Sequence, residues 1–242
     1  MTHELESRRA SAIIVAGGAG ERFGAAGGKQ LEMVLGLPIL AHTLKAFEST
    51  MTVTRVVVVC HPERVDEYAS RAVAPTLLTT PFTLAAGGDT RQESVARGLE
   101  ALMPLSEAEI ILVHDGARPL VSADLIDRAV RALAADTSLD GLVVGHPAYD
   151  TIKEVSDDTI VGTPQRERLW VAQTPQVFRA EVFARAHALA AQRGFVGTDD
   201  SKLVEECGGR VGMFEGPRAN IKVTVEADLT VVEAMLSRHG SS

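Results

Sequence analysis

Residues 16–24 read Ala-Gly-Gly-Ala-Gly-Glu-Arg-Phe-Gly and follow directly on the apolar run Ala12-Ile13-Ile14-Val15. An unbroken apolar run reads as a strand buried on both faces, and that restricts the chain to folds built on a covered, mostly parallel sheet. The glycines leave backbone N–H groups bare, while Arg22 and Lys29 add fixed positive charge. A strand end that opens into such a loop holds an anion, most simply a phosphate chain. Two familiar phosphate loops do not match. The dinucleotide pattern G-x-G-x-x-G begins at Gly18 and Gly20 but meets Phe23 where its third glycine belongs. The pattern G-x-x-x-x-G-K-[ST] finds Gly28-Lys29, but Phe23 replaces its first glycine and Gln30 its hydroxyl residue.

The rest of the chain repeats the alternation. Residues 55–60, 109–114 and 141–145 are further apolar strands. Between them lie segments of helical period. Pro38 opens one that carries Ile39, Leu40, Leu44 and Phe47, and Pro62 opens one through Val65 and Ala69. Others carry Val95, Leu99 and Leu102, or Leu125, Ile126, Ala129 and Leu133 behind a capping Ser122. A fifth carries Phe183, Ala186 and Ala190, and a last one runs from about 226 to 236. This is an α/β protein, and ligands of such sheets bind at the carboxyl ends of the strands. The 242 residues suit one domain over 11–236, between a polar N-terminal tail (1–10) and a C-terminal tail (237–242). Residues 147–171 break the rhythm: Thr151–Val155 and Thr159–Val161 alternate around Asp157-Asp158 like a hairpin, and Leu169-Trp170-Val171 returns as a further strand. A lone hairpin is marginal in water, so this arm is expected to pack on a second copy of the chain.

The net charge of −8 lacks the broad basic footprint that nucleic acid requires, whereas a small anionic ligand needs only a local basic pocket. Cys60 and Cys207 lie far apart without metal-ligand spacing, as reduced thiols of a cytoplasmic protein do. The polar N-terminus carries no signal-peptide core, and no run approaches membrane-spanning length.

Further clusters stand at strand and loop ends. In Gly87-Gly88-Asp89-Thr90-Arg91-Gln92-Glu93-Ser94 the glycines let the backbone approach a flat base, and Ser94 adds a hydrogen bond or a helix cap. Asp115, in His114-Asp115-Gly116-Ala117-Arg118, suits a magnesium ion completed by phosphates and water, and Arg118 is also spaced to pair with it as a structural bridge. Thr151 lies at the base of the arm and Arg166 on its return. Thr198-Asp199-Asp200 precedes a helix and reads as its cap, and Lys222 falls in a short strand, Asn220–Thr224.

Taken in order, the glycine loop with Lys29-Gln30, the Gly87–Val95 segment, Val113–Pro119, Pro147–Lys153, Leu169–Gln176, Thr198–Asp200 and Asn220–Thr224 resemble the 2-C-methyl-D-erythritol 4-phosphate cytidylyltransferases of the non-mevalonate isoprenoid pathway. The resemblance implies a Rossmann-like nucleotidyltransferase fold, a homodimer joined through the β-arm, CTP as donor and Mg2+ as the ion. It implies that Arg22, Lys29 and Lys222 surround the triphosphate, with Ala16, Gly17 and Gly18 supplying backbone contacts. Gly88, Asp89 and Ser94 would read cytosine, and Asp115 would stand near the ribose and the metal. Thr151 and Arg166 from the partner's arm would hold the acceptor phosphate. Gly27-Gly28 stands where many members have proline before the lysine, which gives that loop more freedom. Bifunctional members carry a further cyclase domain, which this chain is not expected to contain. A ribitol 5-phosphate cytidylyltransferase shares the scaffold and is the nearest alternative. A sugar 1-phosphate nucleotidylyltransferase and a nucleotide-binding regulator without chemistry are more distant ones. A glycosyltransferase would need D-x-D, which Asp115-Gly116-Ala117 does not provide.

Overall fold

The computed structural model describes residues 10–18, 28–106 and 108–239. Arg22 lies outside the described residues. In chain order the strands and helices are β1 (Ala10–Val15), β2 (Met33–Val34), β3 (Leu37–Pro38), α1 (Ile39–Glu48), β4 (Val53–Cys60), α2 (Val65–Tyr68), β5 (Phe82–Ala86), α3 (Arg91–Ala101), β6 (Ile110–Asp115), α4 (Ala123–Ala135), β7 (Gly141–Pro147), β8 (Glu154–Ser156), β9 (Thr159–Gly162), β10 (Trp170–Arg179), α5 (Ala180–Arg193), α6 (Asp200–Glu206), β11 (Val211–Glu215) and α7 (Ala227–His239).

Seven strands form one sheet in the order β11-β7-β10-β6-β1-β4-β5. β1 pairs in parallel with β4 on one side and β6 on the other, while β10 runs antiparallel to both β6 and β7. Strand periodicity divides the core between the two faces. Ala12, Ile14 and Val58 pack with Leu40, Leu44 and Phe47 of α1 and Leu125, Ala129 and Leu133 of α4. The alternate residues Ile13, Val57 and Val59 pack with Val95 and Leu99 of α3, Phe183 of α5 and Leu203 of α6. Each of the larger side chains, Val, Leu, Ile or Phe, contributes roughly 1.5–3 kcal/mol by leaving water. Gly98 is small for a reason: a Cβ there would lie 2.5 Å from Ile13 Cγ2, so glycine lets α3 lie close on β1.

Several elements differ from the sequence expectation. β10 is not the end of the arm but a strand between β6 and β7 that continues to Arg179, with Phe178 stacked on Phe183 at 4.7 Å. Gln173, Thr174 and Gln176 break its apolar pattern, yet all three are buried, because each finds a polar partner inside the fold. β11 was not expected and adds an edge strand. The helix opened by Pro62 is broken into a 3-10 turn, the single turn α2 and a π turn at Ala69–Val73. Lys222 lies on irregular backbone rather than on a strand. α7 extends to His239, so its last turn takes in residues expected to be tail. The arm hairpin itself is present: β8 and β9 pair antiparallel, and Asp157 and Asp158 take positive φ of 47° and 59°, the geometry of a tight hairpin turn.

Candidate functional site

The loops that leave β1, β4, β5 and β6 open toward one another at the carboxyl edge of the sheet. They enclose a cavity of about 540 Å³ whose walls include Gly17, Gly18, Lys29, His61, Gly88, Asp89, Ser94, Asp115 and Lys222. Eight of the residues singled out in the sequence therefore meet here. Ala16 lies behind the wall: it is fully buried, its N–H donates to the Val59 carbonyl at 2.8 Å, and its carbonyl accepts from the Tyr68 hydroxyl at 2.8 Å. Gly17 is fixed by close approach, since a Cβ there would stand 3.0 Å from the Cys60 carbonyl. Thr151 and Arg166 are exposed on the arm and do not line the cavity.

One end of the cavity is a rigid loop. Thr90 caps α3 and Glu93 reaches back in a capping box. Glu93 Oε2 accepts from the N–H of Asp89 at 2.8 Å and of Thr90 at 3.2 Å. The Gly88 N–H donates to Ser94 Oγ at 3.1 Å. A Cβ on Gly88 would lie 2.4 Å from Glu93 Cβ, so only glycine fits against the helix. The Ser94 hydroxyl also donates to the Gly88 carbonyl at a long 3.4 Å, so this loop offers the Asp89 carboxylate and a weakly held Ser94–Gly88 carbonyl pair to a ligand.

The other end is electrostatic. Asp115 closes β6, and Lys222 Nζ reaches its Oδ2 at 2.8 Å. Arg118 Nε lies 3.6 Å from the same oxygen, and Arg91 Nε lies 3.3 Å from Oδ1. Arg91 Nη1 also meets Asp200 Oδ2 at 2.7 Å. Three cations against two carboxylates leave one net positive charge at this end. Burial opposes ionisation of Asp115, but Arg91, Lys222 and Arg118 outweigh it and hold the carboxyl well below the usual carboxylate range. Burial likewise opposes the charge on Arg91, and Asp200 and Asp115 reverse that effect, raising it above the ordinary arginine value.

Lys222 needs no strand to be placed. Arg118 Nη1 donates to the Asn220 carbonyl at 2.8 Å, Asn220 Nδ2 to the Thr174 carbonyl at 2.8 Å, and the Val223 N–H to the Ala117 carbonyl at 2.8 Å. Behind Asp115, its N–H donates to Thr174 Oγ1 at 3.0 Å, and that oxygen lies 3.1 Å from His114 Nδ1. Burial pushes the His114 ring down to about 3, so it is a neutral scaffold residue.

This donor set does not suit a resident magnesium ion. Among the described residues no three His, Cys, Asp or Glu side chains gather as a metal group. The one carboxylate at the centre already faces three cations, and a net positive cluster repels a divalent cation that is not carrying its own anions. It suits a polyphosphate, with or without an ion bound to it.

Sequence reasoning assigned no role to Arg91, and it read Asp200 only as part of a helix cap. A signal was present in each case. Arg91 is the first residue of α3, where the helix dipole disfavours a cation. Asp199 already caps α6, its carboxylate accepting from the Lys202 N–H at 3.0 Å, so the second aspartate is not needed there. Arg118 realises the bridge to Asp115 that its spacing allowed.

Comparison with known proteins points to one family. The model of the family "2-C-methyl-D-erythritol 4-phosphate cytidylyltransferase" matches residues 10–238. A protein of that name from Geotalea uraniireducens is 40% identical over 228 residues, covering 94% of this chain and 97% of its own length. The crystal structure of 4-diphosphocytidyl-2C-methyl-D-erythritol synthase from Anaerococcus prevotii superimposes with a TM-score of 0.81 at 27% identity, covering 97% of this chain and 99% of that one. The 2-C-methyl-D-erythritol 4-phosphate cytidylyltransferase of Thermus thermophilus superimposes with a TM-score of 0.74 at 32% identity, over 94% and 98% of the two chains.

Proposed function

The chain belongs to the 2-C-methyl-D-erythritol 4-phosphate cytidylyltransferase family, and from that premise we propose how its cavity divides the work of the reaction. The enzyme transfers the cytidylyl group of CTP to 2-C-methyl-D-erythritol 4-phosphate, giving 4-diphosphocytidyl-2-C-methyl-D-erythritol and pyrophosphate. Cytosine lies against Gly88, Asp89 and Ser94, and the triphosphate lies along Gly17 and Gly18 toward Lys29 and Lys222; Arg22 is assigned to the same triphosphate. Asp115 faces the ribose and sets the resting position of Lys222. The observation that carries this reading is the net positive cluster around Asp115 at the strand ends of a chain whose overall charge is −8.

The chemistry follows from the charges. An oxygen of the acceptor phosphate attacks the α-phosphorus in line, the bond to the β-phosphate bridge breaks, and pyrophosphate carries the electrons away. Both reactants are anions, so repulsion is the first barrier, and fixed cations lower it while stabilising the charge of the transition state. A phosphate monoester is largely dianionic at neutral pH, with a second pKa of about 6, so no general base is required. That agrees with a cavity in which, among the described residues, no nucleophile is hydrogen-bonded to a base. Magnesium enters as part of the substrate, on the triphosphate, and neutralises phosphate charge there. Among the described residues, Asp115 is the carboxylate of the cavity's phosphate end able to approach it.

The acceptor phosphate is held by Thr151 and Arg166 of a second copy, whose arm completes the cavity. Support for the homodimer comes from the apolar surface that the arm leaves exposed, Val155, Ile160, Val161 and Trp170. A cytoplasmic location accords with the two free cysteines and with described helices too short or too polar to cross a membrane. The ribitol 5-phosphate alternative is not favoured, since the family model and the relatives agree on the erythritol acceptor. Pyrophosphate release from CTP with the two acceptors side by side tests the reading. Release with 2-C-methyl-D-erythritol 4-phosphate is expected, and release with ribitol 5-phosphate alone contradicts it.

A further inference from the structure

Arg91 is a cation at the positive end of α3, with two carboxylates to keep it there. Its fork spans them: Nη1 donates to Asp200 Oδ2 at 2.7 Å and Nε to Asp115 Oδ1 at 3.3 Å. Arg91 lines the cavity, whereas Asp200 behind it is 1% exposed and is not part of the wall. A carboxylate so deeply buried destabilises a fold unless it is paired, and Arg91 is its only ion-pair partner among the described residues. Asp200 is also firmly mounted. Asp199 caps α6 and accepts from Gln176 Nε2 at 2.8 Å, while Gln176 Oε1 accepts from the Ser201 N–H at 3.0 Å, so the start of α6 is pinned to β10.

We propose that Asp200 and Arg91 are a positioning pair for the reaction. Asp200 fixes the Arg91 guanidinium; Arg91 fixes Oδ1 of Asp115; Asp115 then presents Oδ2 to Lys222. The proposal rests on the reading of the cavity as the CTP site. The single bond from Arg91 to each carboxylate is the key point. Without Asp200 the planar fork is free to turn both nitrogens onto Asp115, which rotates that carboxylate and draws it from Lys222. The phosphate end then loses its preset geometry, while the arm that holds the acceptor is unaffected.

The test uses the full chain with Asp200→Asn, Arg91→Lys and the double variant. Asparagine keeps the size but removes the charge that competes with Asp115 for Arg91, and lysine keeps the charge but replaces the planar fork with a single donor nitrogen. A misplacement of about 1 Å near the chemistry costs on the order of 100-fold, so each single variant is expected to lower kcat roughly 10- to 100-fold. The KM for 2-C-methyl-D-erythritol 4-phosphate stays within about threefold, because the acceptor is held elsewhere. Adding Asp200→Asn to Arg91→Lys costs less than about twofold more, since residues that act as one unit are not additive. Wild-type turnover in Asp200→Asn overturns the proposal. So does an Asp200→Asn loss that is as large in the Arg91→Lys background, which would make Asp200 a prop of the fold alone. Should Asp200→Asn not fold, a folded Arg91→Lys with wild-type turnover is equally decisive against it. The same three variants are titrated with CTP by calorimetry. If wild type binds CTP but releases no pyrophosphate, the acceptor reading has failed, and the pair is judged on affinity: a severalfold loss from Asp200→Asn only when Arg91 is present supports it, and no loss overturns it. A wild type that binds no CTP overturns both.

Discussion

The strand-end cavity and the β-arm differ in how their charged groups are held. At the cavity Asp115 faces three cations, Arg118 bridges it to the Asn220 carbonyl, and Asp200 is sealed beneath Arg91. On the arm Arg166 is exposed, its guanidinium donating to the Tyr149 carbonyl at 2.8 Å and lying 4.0 Å from Glu167, while Thr151, Ile160 and Val161 stand in solvent. The half of the site proposed for the nucleotide is thus preset within one chain, its described side chains held by protein partners. The half proposed for the acceptor lies open on the arm and, on that reading, is completed by a second copy. Substitutions in the first half should act on the transition state. Those in the second should act on acceptor binding or on assembly.

The largest effect should come from Lys222→Ala. Loss of one preorganised cation lowers kcat by about 10²–10³-fold. Lys222 is partly exposed, so the thermal midpoint should stay near that of wild type. Steady-state rates and a melting curve on one preparation check both, and near-wild-type turnover would remove the distinction between the halves. Next is Arg166→Ala. A charge-assisted hydrogen bond contributes about 1.5–3 kcal/mol, so the acceptor KM should rise roughly 10- to 100-fold while that for CTP changes little. Equal shifts in both would place Arg166 with the nucleotide. Ile160→Asp puts a charge into the exposed apolar strip of the arm. Sedimentation should then report a weaker dimer with an unchanged monomer fold, and an unaltered dimer would show that the strip is not the contact.

The smallest effect concerns pH and the interior beside the preset half. His187 packs edge-on against Phe183 at 4.6 Å, and burial pushes its pKa down to about 4. The unfolded ring titrates near 6.5, so between these values only the unfolded chain binds the proton. Stability is therefore complete above about pH 6.5 and falls as the pH drops toward 4, by about 2 kcal/mol between pH 7 and 5 from this residue. His187→Leu should flatten that part of the profile in denaturant melts at several pH values. An unchanged slope would mean that this side of the core admits the charged ring.

Much of the preset half was legible in the chain because its signals are local. An apolar run followed by glycines marks a strand end: Gly17 and Gly18 follow β1, Gly88 and Asp89 follow β5, and Asp115 closes β6. The arm was legible for the same reason, through alternation around Asp157-Asp158. What escaped depends on partners distant in sequence. Gln173, Thr174 and Gln176 disguise a strand in the middle of the sheet, and only their contacts with Pro217, His114 and Asp199 make their burial tolerable. The tethers that hold Lys222 come from Arg118, Thr174 and Ala117, so its position needs no regular backbone. Arg91 and Asp200 are 109 residues apart and become one unit only when α6 docks beside α3.

The most direct test is a crystal structure with CTP bound. The account predicts the triphosphate within hydrogen-bond reach of Lys29 and Lys222, with cytosine against the Gly88 carbonyl and Ser94. A triphosphate bound away from Lys222, or cytosine at the phosphate end beside Asp115 and Arg118, would contradict it.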